Sequence, residues 1–371
     1  MTFRRLPFES VFADESGGNA KTPQAEYLNE GEFPIVDQGK TLIGGYTDER
    51  ERLCGHGRSA IIFGDHTRCI KYIDFPFCMG ADGVKVLRPK IEADLKYLYY
   101  FLKSLDIPSA GYDRHYKYLK RTEVVLPPLP EQRRIAAILD QADALRAKRR
   151  EALAQLDSLT QSIFIEMFGD SIENPQNFPV RRLIDLVDGA RPITYGILMP
   201  GLDQEIGVKY VRVVDMRNGG IDLSGVRTTT QAISNAYKRS LLRAGDLLMS
   251  IRGHVGRLAV VPKELEGANI TQDTARFAIT GADPVFVREC LRTFGLQRWM
   301  AKHTKGVAVR GINLGDVKLM PLIHPGTDEQ QAFSRRAIAV DELIVTHRAS
   351  LADCDALFAS LQHRAFAGQL S

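Results

Sequence analysis

The stretch LPPLPEQRRIAAILDQADALRAKRREALAQLDSLTQSIFIEMFGD, Leu126 to Asp170, constrains the fold more than any other segment. Pro127, Pro128 and Pro130 exclude a central strand or a helix interior, so the segment opens as an extended strap. Pro130 suits a first helical turn, and Glu131 suits the positive end of the helix dipole. Beyond Ile135 the pattern is helical. Ile138, Ala142, Leu145, Ala152, Leu156, Leu159 and Ile163 recur three or four residues apart and predict a coiled-coil seam, interrupted by Arg149. A helix from Glu131 to Phe168 measures about 57 Å at 1.5 Å per residue, longer than a single domain needs. Gly169 and the pair Asn174–Pro175 end it.

A second strap and helix begin at Met320. Glu131–Gln132 lies 198 positions before Glu329–Gln330, and the same offset pairs Asp143 with Asp341, Arg150 with Arg348 and Phe168 with Phe366. Helices share apolar spacing by chance, but chance does not readily match polar positions as well. The globular segments repeat in order too. FPIVDQG and SAIIFGDHTRCIKYID stand where YVRVVDM and GDLLMSIRGHVGRLAVV stand later. Two copies are too few for a solenoid. They predict an α+β molecule with a pseudo-twofold repeat. Mixed α/β domains span 1–125 and 171–319, straps with long helices span 126–170 and 320–371, and the two helices pack antiparallel. Within the domains, Glu92–Leu105 and Val285–Ala301 each read as one helix.

Composition narrows the function. The 371 residues allow two or three domains, and 44% apolar content can bury sizeable cores. The five cysteines are scattered without a C-x-x-C pair, which argues against a zinc site or a disulfide framework. No signal-peptide run and no apolar run of about 18 residues is present, so a cytoplasmic, non-membrane protein is expected. A net charge of +4 and a pI near 8.7 suit nucleic-acid binding only if the cations are concentrated on one surface.

Catalytic signatures are missing. Gly39-Lys40-Thr41 resembles the end of a phosphate-binding loop, but Pro34 stands where that motif needs a glycine. Asp94-Leu95-Lys96 falls inside a predicted helix, and Asn174–Pro175 is followed by Gln176 rather than the second proline of an amino-methyltransferase motif. The eight histidines lack metal-ligand spacing. The chain reads as a non-catalytic binding protein.

Loops in both halves gather cations, aromatics and amides, the side chains that hold phosphates and read base edges. In the first half these are His66, Arg68 and Lys71, and then Tyr112, Arg114, His115, Lys117 and Lys120. In the second they are Arg191, Thr194 and Tyr195, then Arg252, His254 and Arg257, then Lys305, Arg310 and Asn313. Each loop alone also fits a basic face beside a core, or an ordinary glycine turn.

LPPLPEQRRIAAILDQADAL closely resembles the central conserved region of specificity subunits of type I restriction-modification systems. The motifs around FPIVDQG and FGDHTR, and those around GDLLMSIRG and GINLGDVKLMPL, resemble two kinds of target recognition domain in that family. The resemblance implies a non-catalytic chain whose lobes each read half of a split double-stranded DNA target. The helices would set the spacer. Pro127, Pro128, Pro130, Glu131 and Gln132, with Glu329 and Gln330, would dock two methyltransferase subunits, and through them the restriction and translocase subunits. S-adenosylmethionine, ATP and magnesium would belong to those partners, with no cofactor in this chain. The second strap reads IHPGTDEQQ and lacks the Pro-Pro-Leu-Pro run, which leaves docking there less well supported. A type II specificity subunit with a fused methyltransferase–nuclease partner, or a coiled-coil protein adaptor, remain as alternatives.

Overall fold

The computed structural model describes residues 3–54, 58–108, 114–217, 219–306 and 310–370. The chain divides into two compact units, Met1–Arg150 with Ala349–Ser371, and Glu151–Arg348. Two 40-residue helices, a central one at Leu129–Phe168 and a distal one at Thr327–Phe366, each contribute to both units. Their limits are related by the same 198-residue offset.

In the first unit, apolar β-rich segments pair into an antiparallel sheet ordered Phe12–Asp14, Val84–Pro89, Ala60–Gly64, Ile70–Ile73. The strand Ala60–Gly64 is buried throughout, as its unbroken apolar run requires. A smaller sheet orders Gly45–Thr47, Phe33–Val36 and Cys78–Met79, and its last pair is parallel. The second unit repeats both patterns. Its four strands are ordered Thr194–Tyr195, Thr274–Phe277, Leu247–Ser250, Leu258–Val260, all antiparallel. Its three are Arg227–Thr229, Val208–Val211 and Asn269–Ile270, again with a parallel last pair. In each unit the strand leading into the strap pairs with the opening strand of that half: Glu123–Leu126 with Arg4–Pro7, and Pro321–Ile323 with Val180–Arg182.

Local chemistry sets the helix ends. Asp94 caps Leu95–Ser104 by accepting the Tyr97 N–H at 2.8 Å, so this helix starts later than the Glu92 read from the sequence. The single helix expected at Val285–Ala301 is two, Pro284–Arg292 and Phe294–His303. Thr293 breaks it with extended backbone, and its hydroxyl donates to the Cys290 carbonyl at 2.8 Å. The Asp170 carboxylate then accepts the Gly295 N–H at 2.7 Å and compensates the new helix N-terminus. The central helix ends at Gly169, whose left-handed φ of +74° suits a residue without a side chain; a Cβ there would lie 2.3 Å from Pro175.

The seam read from the sequence requires correction. Leu145 and Leu159 are exposed, as are Leu343 and Leu357 at the same offset. The buried positions of the central helix are Gln132, Ile135, Ala136, Leu139 and Ala142, and then Thr160, Phe164 and Phe168. The two helices do pack antiparallel within each unit, but their most apolar stripes face the rest of the unit. Ile135, Leu139 and Ala142 join the core around Tyr97, Leu98 and Phe101. Arg146 pairs with Asp355 at 2.5 Å and lies 4.3 Å from the Phe358 ring centroid. In the second unit Phe164, Phe168, Phe286 and Phe333 form a ring cluster with centroids 5.1–6.4 Å apart.

One side chain is used identically in both units. Gln132, only 2% exposed, donates to the Pro127 carbonyl at 2.8 Å and accepts the Asp94 N–H at 2.9 Å. Gln330, equally buried, donates to the Pro325 carbonyl at 2.8 Å and accepts the Asp283 N–H at 2.9 Å. Each amide ties a strap to the cap of a neighbouring helix. Replacing either by leucine leaves a buried backbone donor and acceptor unmatched. Gln132→Leu or Gln330→Leu is expected to lower stability by roughly 2–4 kcal/mol, measured by urea unfolding. A loss below about 0.5 kcal/mol would show that water replaces the amide.

Candidate nucleic-acid interface

In the first unit, the turn after strand Ala60–Gly64 carries Asp65, His66 and Arg68. Arg68 adopts φ +60°, a left-handed conformation uncommon for a residue with a side chain, and donates to the Ile107 carbonyl at 2.9 Å. Asp65 stitches this turn to the loop some fifty residues later. Its carboxylate accepts the Tyr116 N–H at 2.7 Å, and its carbonyl accepts the His115 N–H at 2.9 Å. Gln38 joins a third loop: its Oε1 accepts the His66 N–H and its Nε2 donates to the Asp82 carbonyl, both at 3.2 Å. Neither Asp65 nor Gln38 stood out in the sequence, because each works through backbone groups. The motifs FGDHTR and FPIVDQG, with turn-forming residues just after strands, are the signal that marks them.

The structure sorts the candidate cations. Arg68, Arg114 and Lys117 are exposed. Lys71 is buried and donates to the Asp37 carbonyl at 2.7 Å; burial lowers its ammonium pKa against the opposing pull of Asp37. His115 is also buried, with Nδ1 2.9 Å from the Asp65 carbonyl oxygen. Lys120 pairs with Glu9 at 2.9 Å, which raises the lysine pKa and lowers that of the glutamate. His66 is half-buried at the turn, and Tyr112 lies outside the described residues.

The second unit builds the same arrangement. The turn after strand Leu247–Ser250 carries Arg252, His254 and Arg257. The Gly253 N–H donates to the Arg310 carbonyl, and the Ile312 N–H to the Ile251 carbonyl, both at 2.9 Å. Lys305 and Gly311 exchange two backbone bonds of 2.8 Å. Arg252, His254, Lys305 and Arg310 thus share one exposed edge, with Arg252 3.8 Å from Asp273. Tyr195 stands exposed on the edge strand of the same sheet, while the Thr194 hydroxyl donates to the Tyr195 carbonyl at 3.0 Å. The other candidates turn inward or cap. Arg191 makes a two-pronged pair with Asp246 at 2.6 and 2.8 Å. Arg257 donates to the Val213 and Met216 carbonyls at 3.2 Å. Asn313 caps the helix Leu314–Lys318 by accepting the Asp316 N–H at 2.9 Å.

The strap residues divide likewise. Gln132 and Gln330 are buried clasps, so neither amide presents a docking surface, contrary to the sequence reading; Pro127 is buried beside Gln132. Pro128, Pro130 and Glu329 are exposed. Glu131 forms a double hydrogen bond with Arg134 at 2.8 Å that holds its carboxyl below the ordinary range, and Glu329 accepts the Gly326 N–H at 2.8 Å. Among the described residues no acidic, histidine or cysteine cluster could hold a metal ion, and no helix is long and apolar enough to cross a membrane.

Residues 12–155 match the family model described as type I restriction modification DNA specificity domain. The chain is 28% identical to the type I restriction enzyme EcoBI specificity subunit of Escherichia coli, over 68% of this chain and 59% of that protein. It is 25% identical to the MjaVIII specificity subunit of Methanocaldococcus jannaschii, over 70% of this chain and 66% of that one. The matched region thus spans about three-fifths of the first of these relatives. The fold is that of the type I restriction-modification S subunit from M. genitalium, with a TM-score of 0.60 at 15% identity over 99% of this chain and 96% of that one. With two units built alike, a match to the specificity-domain model over residues 12–155 and the fold of an S subunit along its length, the chain is similar to type I restriction-modification specificity subunits.

Proposed function

We propose that this chain is the non-catalytic DNA-specificity subunit of a type I restriction-modification enzyme and works in the cytoplasm. One observation carries the reading. At equivalent places in both units, a strand-end turn is knitted to the loop before a short helix, and both pieces expose cations. Arg68, Arg114 and Lys117 do so in one unit, and Arg252, Lys305 and Arg310 in the other. Two similar cationic edges on one scaffold fit a bipartite duplex, each holding phosphates and reading bases of one half-site. The exposed strap residues Pro128, Pro130 and Glu329, with the exposed leucines of the long helices, supply surface for two methyltransferase subunits and through them the restriction and translocase subunits. S-adenosylmethionine, ATP and magnesium belong to those partners.

Two experiments test this. In the assembled complex, Arg252→Ala or Arg310→Ala is expected to weaken protection of one half-site by about 1–3 kcal/mol in footprinting, and Arg114→Ala or Lys117→Ala that of the other. Equal weakening of both half-sites by either pair would overturn the division of labour. Inserting four residues after Lys148 and four after Thr346, at matching exposed positions of the two helices, adds about 6 Å to each. The preferred spacer, read by selection from duplexes of graded spacing, is expected to lengthen by about two base pairs. An unchanged spacer would refute the helices as the ruler.

A further inference from the structure

The connection from Leu198 to Gly207 in the second unit combines a pinned backbone with apolar side chains turned to solvent. The Ile197 N–H donates to the Ile270 carbonyl at 2.7 Å, and the Thr229 hydroxyl donates to the Pro200 carbonyl at 2.7 Å. Farther along, the Asp203 carboxylate accepts the Thr228 N–H at 2.8 Å, and the Gln204 N–H donates to the Thr228 carbonyl at 3.1 Å. The segment is therefore fastened to the neighbouring sheet at several points. Yet Met199 is 82% exposed, Leu202 86% and Ile206 92%. Leu198, at its start, is 49% exposed; single exposed aliphatics are ordinary, but four on one fastened loop are an apolar surface held ready.

We infer that this loop is an apolar arm that rests Met199, Leu202 and Ile206 on bases of the half-site held by the second unit, an inference resting on the DNA-recognition reading above. Its root supports this. Ile197 bridges to Thr271 and accepts the Gln272 N–H at 2.9 Å, and the next residue, Asp273, pairs with Arg252. The arm thus leaves from the cationic edge, directly after Tyr195. Between Leu198 and Gly207 it has no cation, and Glu205 is an exposed acid, so phosphate is not its partner. DNA offers aliphatic side chains two apolar surfaces: thymine methyl groups in the major groove, and the face of a base in an opened step. The corresponding connection in the first unit, Glu15 to Glu32, exposes Leu28 as its single large apolar side chain. The arm thus distinguishes two otherwise matching units, as readers of unlike half-sites require.

The test uses the full chain assembled with its methyltransferase partners and a duplex selected by the wild type from a random pool. The variant Met199→Gln/Leu202→Gln/Ile206→Gln, all at exposed positions, should melt with the wild type yet lose about tenfold or more in affinity. Its salt dependence and its protection of the first unit's half-site should be unchanged, and Met199→Leu should retain wild-type affinity. Uracil in place of thymine weakens the wild type but not the variant if methyl groups are the partner. A rise in 2-aminopurine fluorescence with the wild type alone identifies an opened step. Wild-type affinity in the triple variant overturns the inference, and so does loss of subunit assembly with DNA binding intact, which would make the arm a protein contact. A wild type that selects no duplex refutes the DNA-recognition reading itself, before any variant is made.

Discussion

The structure depends on a pair of buried carboxamides. Where each strap meets its long helix, a helix-cap N–H and a strap carbonyl face each other across a buried gap. Only a side chain with both a donor and an acceptor at the right reach can satisfy the two together, and Gln132 and Gln330 do so with matching lengths. Once the clasp is closed, the strap is fixed against its unit and the direction in which the long helix leaves is fixed with it. The aromatic packing farther along depends on that direction. Phe366 reaches Tyr97 and Phe101 in one unit, and Phe168 reaches Phe286 and Phe333 in the other.

The same scaffold also shows how a nearly balanced net charge is distributed. Several cations are used internally. Arg276 is buried, and its guanidinium donates to the Arg191, Pro192 and Arg239 carbonyls at 3.1–3.3 Å, with burial lowering its pKa. Arg191 neutralises Asp246, and Lys71 anchors the Asp37 turn. With these cations turned inward, Arg68, Arg114, Lys117, Arg252, Lys305 and Arg310 are among those left exposed on the knitted loops. A modest net charge is thereby compatible with exposed cations grouped on the loops of both units.

The repeat, the end of the central helix and the longer central strands were legible because proline and glycine act locally, and the 198-residue offset needs no structure to see. The seam was not. Periodicity shows that a helix has an apolar stripe, but not whether that stripe faces its partner helix or its own lobe, so Leu145 and Leu159 were read as buried. Nor does sequence show which cation will find carbonyls within reach. Arg257 and Arg252 are five residues apart in one turn, yet one is folded over Val213 and Met216 and the other is exposed. The break at Thr293 was hidden because the flanking residues suit one continuous helix. Gln132 and Gln330 were found by sequence, but as surface, since an amide beside a proline strap carries no mark of its burial.

The partition of the chain has a consequence for biosynthesis. Glu151–Arg348 is one unbroken segment, whereas the other unit joins the start of the chain to Ala349–Ser371 and needs Phe358, Ala365 and Phe366 to fill its core. On a ribosome, which releases the chain from its beginning, a domain ordinarily folds once its last residue emerges. Here the later-made unit has all its parts first, while the first-made unit waits, with apolar surface open, for Ala349–Ser371. Chain order and folding order run in opposite directions, and the earliest residues depend longest on protection from aggregation.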